Sequence, residues 1–443
     1  MRTRLPRLPL TTLAAATLIG LGLPGPATAQ SLQELYDAAV LYDATYLGAK
    51  ALAASAQFRA AQADALGLPT VSATASATTV QTDPPNVGVR GSDSVQGAIS
   101  ARYPLFNRAN RVTIEQARKS LETAQADLAS AAQDLIIRVS QAYFDVLAAQ
   151  DALATTRASK SFITEQLASA KRNFEVGTAT ITDTREAQAR FDLGTAQEIA
   201  ADNDLRAKRI ALDQLVGRPG VAPKTLLVPV VLPATLPANP EEWVTVGDTQ
   251  HPSVRRARVA LDVARLETTK ARAGELPTVD AVGSVGPGYS RGTAVFAPGT
   301  TTTASLGVQM TWPLYTGGAT QNRIKETLLL EERSRNDVEV ARRGVAQATR
   351  VAYFGVQSGL ALVRALEAAE ASSKLALEAT QLGFRVGVRV NLDVLNSQAQ
   401  LFSTQRDLAK ARYDVLVGSL RLRQASGQLA PADLQGVNAL LAK

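Results

Sequence analysis

The 443-residue chain has no cysteine, one histidine (His251) and only 5% aromatic residues. Without cysteine there can be no disulfide framework, thiol nucleophile or lipid-bearing cysteine. One histidine leaves neither a His-rich metal cluster nor a catalytic triad with recognisable spacing. His251, in "TQHPSVRRARVAL", reads as the entry turn of a helix. No Walker loop or dinucleotide fingerprint is present. An enzyme is therefore a poor reading, and no cofactor or metal is expected. Beyond the amino terminus no stretch supplies about 20 uninterrupted apolar residues. Contact with a membrane would therefore have to be made by strands.

The amino terminus carries Arg2, Arg4 and Arg7, then "TTLAAATLIGLGL", then Ala27-Thr28-Ala29. This is the three-part layout of a secretory signal peptide, assigned to residues 1–29. Its removal takes three arginines and no acids from the formal charge of +7, leaving +4. So small an excess is weak support for a nucleic-acid partner, and none is expected. The 46% hydrophobic fraction is mainly Ala, Val and Leu, which suits long, closely packed helices.

Internal repetition organises the rest. "LGLPTVSATASATT" from Leu66 aligns with "GELPTVDAVGSV" from Gly274, and "YPLFN" from Tyr103 aligns with "WPLYT" from Trp312. "QAYFDVL" around Tyr143 aligns with "VAYFGVQ" around Tyr353. "FEVGTATITDTREAQ" (Phe174 to Gln188) and "FRVGVRVNLDVLNSQ" (Phe384 to Gln398) share the pattern Phe-x-Val-Gly-(five residues)-Asp. The chain thus divides into a first repeat at 30–217, a connector at 218–247, a second repeat at 248–427 and a tail at 428–443. Six prolines from Pro219 to Pro240 exclude a helix from most of the connector, leaving an extended segment with a short apolar strand at "TLLVPVV".

Two periodicities alternate within each repeat. Ile114, Ala117, Leu121, Ala124, Leu128, Ala131, Leu135, Val139, Ala142, Val146, Ala149 and Leu153 advance in steps of three and four, as in a coiled-coil seam. Ile324, Val338, Ala341, Val345, Ala352, Val356 and Val363 repeat it more loosely. A second, shorter helix follows each Val-Gly turn and ends near Gly217 or Gly427, where glycine suits a C-terminal cap. The pairs Tyr143-Phe144 and Tyr353-Phe354 read as packing residues.

Before each long helix lie two runs of period two, about ten residues each. They place Val71, Ala73 and Ala75, Ile99 and Ala101, Val279, Ala281 and Val285, and Leu306, Val308 and Met310 opposite Ser72, Ser100, Asp280, Ser284, Ser305 and Gln309. Tyr103 and Trp312 stand where an interfacial aromatic girdle would lie. Such runs fit membrane-barrel strands, and also the strands of a soluble β-subdomain on a helical stalk. Four strands cannot close a barrel, so the membrane reading requires several copies.

The signal peptide, duplicated halves, strand pairs, long seams, the junctions "YPLF" and "WPLYTGG", and above all the paired Val-Gly turns resemble the TolC family of outer-membrane export channels. The resemblance spans essentially the whole mature chain. It implies a mainly α fold with a membrane β-barrel: a homotrimer with a twelve-stranded barrel in outer-membrane lipid and a periplasmic α-barrel of long coiled helices. It further implies passive conduction of proteins or small molecules from an inner-membrane transporter with a periplasmic adaptor, of the ABC type I secretion or RND efflux kind. Lack of an acylated cysteine and the presence of Asp393 lean toward the secretion branch.

The resemblance also implies roles for individual residues. Val176-Gly177 and Val386-Gly387 would be the tips at the periplasmic mouth. Asp183 and Thr182 would bond Arg389 to latch it, and Asp393 would form an acidic constriction ring. Asn396 stands where a second aspartate is expected, Phe384 replaces a latch tyrosine, and Gln166 and Gln381 occupy a further linking pair with an amide in place of a carboxylate. From the residues themselves, helix capping is the favoured reading of Asp183 and Asp393, aspartate being common just after a turn, and Arg389 is a solvated turn residue. A periplasmic coiled-coil adaptor or scaffold without a pore remains the rival, and barrel-length strands are what it would not be expected to carry.

Overall fold

The computed structural model describes residues 29–82, 90–178, 180–227, 229–291 and 299–442. The signal peptide, apart from Ala29, and most of the two hairpin loops fall outside the described residues. In chain order the elements are α1 (Leu32–Tyr42), α2 (Ala44–Asp64), β1 (Thr70–Thr82), β2 (Arg90–Phe106), α3 (Arg108–Glu175) and α4 (Ile181–Val216). The order then repeats as α5 (Pro240–Gln250), α6 (Pro252–Ala273), β3 (Thr278–Arg291), β4 (Gly299–Thr311), α7 (Ala319–Arg385) and α8 (Asn391–Ala425), followed by α9 (Asp433–Asn438).

The two long helices have 68 and 67 residues. Each is on the order of 100 Å long. Asn107 starts α3 by accepting the Asn110 amide, and Gly318, at φ 82°, opens α7. Along α3 the predicted seam is buried at Leu135, Val139, Val146, Ala149 and Leu153 and half-buried nearer the strands. The principal core lies at this level, where Leu32, Leu35, Tyr143, Phe144, Leu147, Leu212, Leu416, Leu420 and Leu434 meet. Tyr143 also donates to the carbonyl of Lys224 (2.8 Å), tying α3 to the connector. Phe354 departs from the packing expectation: it is 58% exposed, because its face of α7 has no partner among the described residues, whereas Tyr353 is buried against Trp243 and Leu422.

The connector is extended only up to Asn239: Pro240, at the first position of α5 where its missing amide costs nothing, starts a helix inside the expected connector, and "TLLVPVV" forms no strand among the described residues. A single antiparallel bridge, Leu226 with Leu441, takes its place, since the surrounding prolines cannot donate to a ladder. His251 is the N-cap of α6, its Nδ1 accepting the Ser253 amide at 3.1 Å.

The strands form one antiparallel sheet in the order β1-β2-β3-β4, joining the two repeats through β2 and β3. They run 13 to 17 residues, longer than expected, because pairing continues past the apolar alternation into the polar ends. Ser72, Ser100, Ser284 and Ser305 stand in one row across all four strands. Ser72 bonds Ser100 and Ser284 bonds Ser305, each at 2.8 Å. The same face carries the Arg102–Asp280 ion pair. The opposite face is apolar and bare, with Val71, Leu306, Val308 and Met310 all well exposed. Strands β1 and β4 are the sheet's edges. No described helix is long and apolar enough to cross a membrane.

Candidate functional site

Far from the sheet, α3 and α7 end in matching turns, with Val176 and Val386 as their C-caps. Gly177 follows at φ 78° and Gly387 at φ 81°. This left-handed conformation would cost a residue with a Cβ about 1–2 kcal/mol. The Gly177 amide donates to Phe174 and the Thr178 amide to Asn173; the Gly387 amide donates to Phe384 and the Val388 amide to Gly383. Each is a complete Schellman closure, which satisfies the orphan carbonyls of the long helix while the chain reverses. The recurrence of Phe-x-Val-Gly is thus the recurrence of one backbone turn.

The repeats diverge immediately afterwards. Thr180 caps α4, and Asp183 completes a capping box, its carboxylate accepting the Thr180 amide (2.9 Å) and hydroxyl (2.7 Å). At the matching position before α8 stands Val390, which has no side-chain oxygen with which to cap. Asp393 is therefore not held in a box and instead faces Arg389, 3.5 Å away in the turn just before α8. The capping alternative describes Asp183 in this chain and does not describe Asp393.

Asp183, Phe384, Arg389 and Asn391 line a cleft of about 460 Å³ between the two tips, along with Asn173 at the end of α3. Arg389 lies flat against α7 because residue 383 is glycine: a Cβ there would come within 2.8 Å of its Cγ. In the first tip Asn173 occupies that position. Asn391 is 7% exposed, and its Oδ1 has no hydrogen-bond partner among the described residues. No hydrogen bond joins Arg389 to Asp183 or Thr182, or Gln166 to Gln381, among the described residues. The structure brings Arg389 and Asp183 into one cleft but leaves them unbonded within a single chain.

Asn396, one turn beyond Asp393, accepts a 2.9 Å bond from Arg190 of α4. Further along α8, towards the main core, Tyr413 donates to Asp151 of α3 at 2.6 Å, with its ring stacked on Phe144. Burial pushes both the Asp151 carboxyl and the Tyr413 hydroxyl above their ordinary ranges, and for Asp151 the bond from Tyr413 offsets part of that effect.

Paired reversing helices at one end and a bare amphipathic sheet at the other belong to one fold, and that fold is shared with known proteins. The sequence profile of the family described as Outer membrane efflux protein matches residues 46–218 and again 248–428. The chain is 33% identical over 417 residues to the outer membrane protein TolC of Vibrio cholerae, covering 93% of this chain and 94% of that one.

The chain belongs to the outer membrane efflux protein family.

It is an outer-membrane channel protein reaching through the periplasm, and it is not an enzyme. It is also 35% identical over 360 residues to the alkaline protease secretion protein AprF of Pseudomonas aeruginosa, covering 79% of this chain and 73% of that one. The crystal structure of VceC from Vibrio cholerae superposes with a TM-score of 0.76 at 19% identity, covering 89% of this chain and 96% of that one, and so shares the fold.

Three features of the tips lie outside the motifs of the sequence. Gly383 was detectable, since it breaks the correspondence with Asn173 at a matched repeat position. The loss of the capping threonine at Val390 was detectable in the same way. Arg190 carried no local signal; only the packing of α4 beside α8 makes it a partner for Asn396.

Proposed function

We propose that three copies of the chain assemble into a continuous duct, the four-stranded sheets closing a twelve-stranded barrel in the outer membrane and the long helices forming a periplasmic tunnel. The observation that carries this is the sheet itself, with unpaired edges at β1 and β4 and a bare apolar face. In lipid such edges must be paired, and pairing β4 of one copy with β1 of the next removes them all. The apolar face then meets lipid, while the serine row and the Arg102–Asp280 pair face the lumen. A coiled-coil adaptor that conducts nothing would leave this sheet without a purpose.

The tips form the gate. Arg389 shares a cleft with Asp183, and exchange of Arg389 between Asp393 and the Asp183–Thr182 tip would alternately release and latch the mouth. Exposed charged bonds of this kind contribute about 0.2–1 kcal/mol each, so three of them hold a mouth closed yet yield to a docked partner. Val176, Val386 and Val388 are 66–76% exposed at the ends of the turns, an apolar rim suited to an adaptor. The duct contributes no energy of its own, so cargo is delivered by an inner-membrane transporter, of either the ABC secretion or the RND efflux type. The similarity to a protease secretion protein supports protein cargo.

Single-channel recording from the purified mature protein in a planar bilayer tests this reading. Small, cation-selective currents blocked by a trivalent cation added on the tunnel-mouth side are expected. Membrane-inserted protein that stays silent, with Arg389→Ser silent too, contradicts it.

A further inference from the structure

Strand β2 gains one residue where it meets α3. Pro104 lies opposite Asp280 and Phe106 opposite Val279, so Leu105 is the extra residue of a β-bulge. The bulge shifts the alternation by one and brings Phe106 onto the apolar face, in a row with Val279 and Met310. Without it Phe106 would share the polar face with Arg102 and Asp280. In the second repeat Trp312 stands at the same level, followed by Leu314 and Tyr315, which are 81% and 89% exposed. The apolar band of the sheet thus ends in an aromatic rim at the start of the long helices, as side chains do at a membrane–water boundary.

Two arginines stand immediately beyond that rim. Arg108 and Arg111 lie in the first turn of α3, three residues apart and so on one side of the helix, and both are exposed. The Arg111 guanidinium lies 5.8 Å from the centre of the Phe106 ring, within range of a cation–π contact. No ion pair or side-chain hydrogen bond engages either guanidinium among the described residues; Glu115, one turn further along α3, is exposed and bonds neither. Cations are unfavourable at a helix N-terminus, and the first turn of α3 holds no acid to offset them. The positions matched by the duplication are Gly317 and Thr320, so the second repeat starts α7 at the same junction with neither cation.

We infer that Arg108 and Arg111 bind the phosphate of an anionic phospholipid in the leaflet facing the periplasm, with Phe106 and Tyr103 against its acyl chains. The inference rests on the duct reading, which places the sheet in lipid and the helices in the periplasm, and so places this junction at the headgroups of that leaflet. A guanidinium offers paired N–H donors to two phosphate oxygens, while its apolar stem can lie along the hydrocarbon boundary. A phosphatidylglycerol headgroup keeps the negative charge of its phosphate, whereas phosphatidylcholine cancels it with its own ammonium. The first is therefore held more tightly. With a site in the first repeat and none in the second, a trimer takes three such lipids, which fix the depth of the barrel in the membrane.

The test places the purified mature protein in phosphatidylcholine nanodiscs doped with phosphatidylglycerol and counts, by native mass spectrometry, the lipids retained on release into detergent. The parent should keep three phosphatidylglycerol molecules per trimer. Arg108→Gln/Arg111→Gln should lower that retention about ten- to thirtyfold, the range for two basic residues near an anionic surface. Arg111→Lys should retain part of it, and Phe106→Leu, which removes the ring beneath Arg111, should fall between the parent and the double variant. Arg333→Gln, at an exposed arginine about 21 Å along α7, should retain as much as the parent. Channel currents equal to the parent's show that a variant has assembled; should the double variant not assemble, Arg111→Lys and Phe106→Leu carry the same comparison. Equal retention by parent and variants, or equal retention of the two lipids by the parent, would overturn the lipid site while conduction left the duct reading intact. A parent that neither enters membranes nor conducts would overturn both.

Discussion

Arg389 sits 3.5 Å from Asp393, four residues earlier on the second tip, while the matching aspartate of the first tip, Asp183, is held in a capping box by Thr180. Two residues at equivalent positions of a duplicated turn thus have different partners because Thr180 is matched by Val390. In the proposed trimer, neutralisation by Arg389 would limit the field of an Asp393 ring, so cation preference should rise when the arginine is removed. Asp393→Ala should abolish most of that preference. Reversal potentials in asymmetric potassium chloride measure both changes, and the two variants should shift in opposite directions.

Val390→Thr should restore the missing cap and draw Asp393 into a box like that of Asp183. An N-cap of this kind is worth about 0.5–2 kcal/mol. The variant should therefore unfold at higher temperature while showing weaker cation preference, since the carboxylate would be engaged at the helix end. Thermal unfolding together with reversal potential checks the pair of effects.

Gly383→Ala should act through Arg389 and not through the helix. Alanine is the better helix former by about 1 kcal/mol, so stability should hold or rise slightly. The added Cβ would fall 2.8 Å from the Arg389 Cγ and must displace that side chain. Conductance should increase toward that of Arg389→Ser with no loss in thermal stability.

Asp43 links acid stability to the main core. Its carboxylate caps α2 through the Tyr46 amide (2.7 Å) and takes two bonds from the Arg138 guanidinium (2.8 and 2.9 Å). The Arg138 bonds hold the Asp43 carboxyl below the usual range. With the folded value depressed, this stabilisation is complete above the unfolded value of about 3.9 and fades as pH falls through the folded one. Arg138→Ala should cost about 1–3 kcal/mol at pH 7. The difference from the parent should narrow at pH 3, as denaturant unfolding at the two pH values would show.

Much of this architecture was legible in the sequence because periodicity and repetition report backbone geometry. The seam from Ile114 to Leu153 marks α3, and the dyad alternation around Ser72 and Ser100 marks the sheet with its correct faces. The two Val-Gly pairs mark turns that only a left-handed residue can make. What the sequence did not show was set by neighbours distant in the chain. Strand lengths depended on cross-strand pairing, the exposure of Phe354 on which helix covers α7, and the partner of Asn396 on where α4 passes. Asp393 was an intermediate case, readable only by comparing Val390 with Thr180 across the duplication.

Gating of a conducting duct by the paired tips is tested most directly by Arg389→Ser. Recorded in planar bilayers beside the parent protein at matched assembly state, the variant should carry currents several-fold larger, still blocked by trivalent cation unless Asp393→Ala is added. Currents identical to those of the parent in both size and open time would contradict the account, because the mouth would then be set by something other than the tip residues.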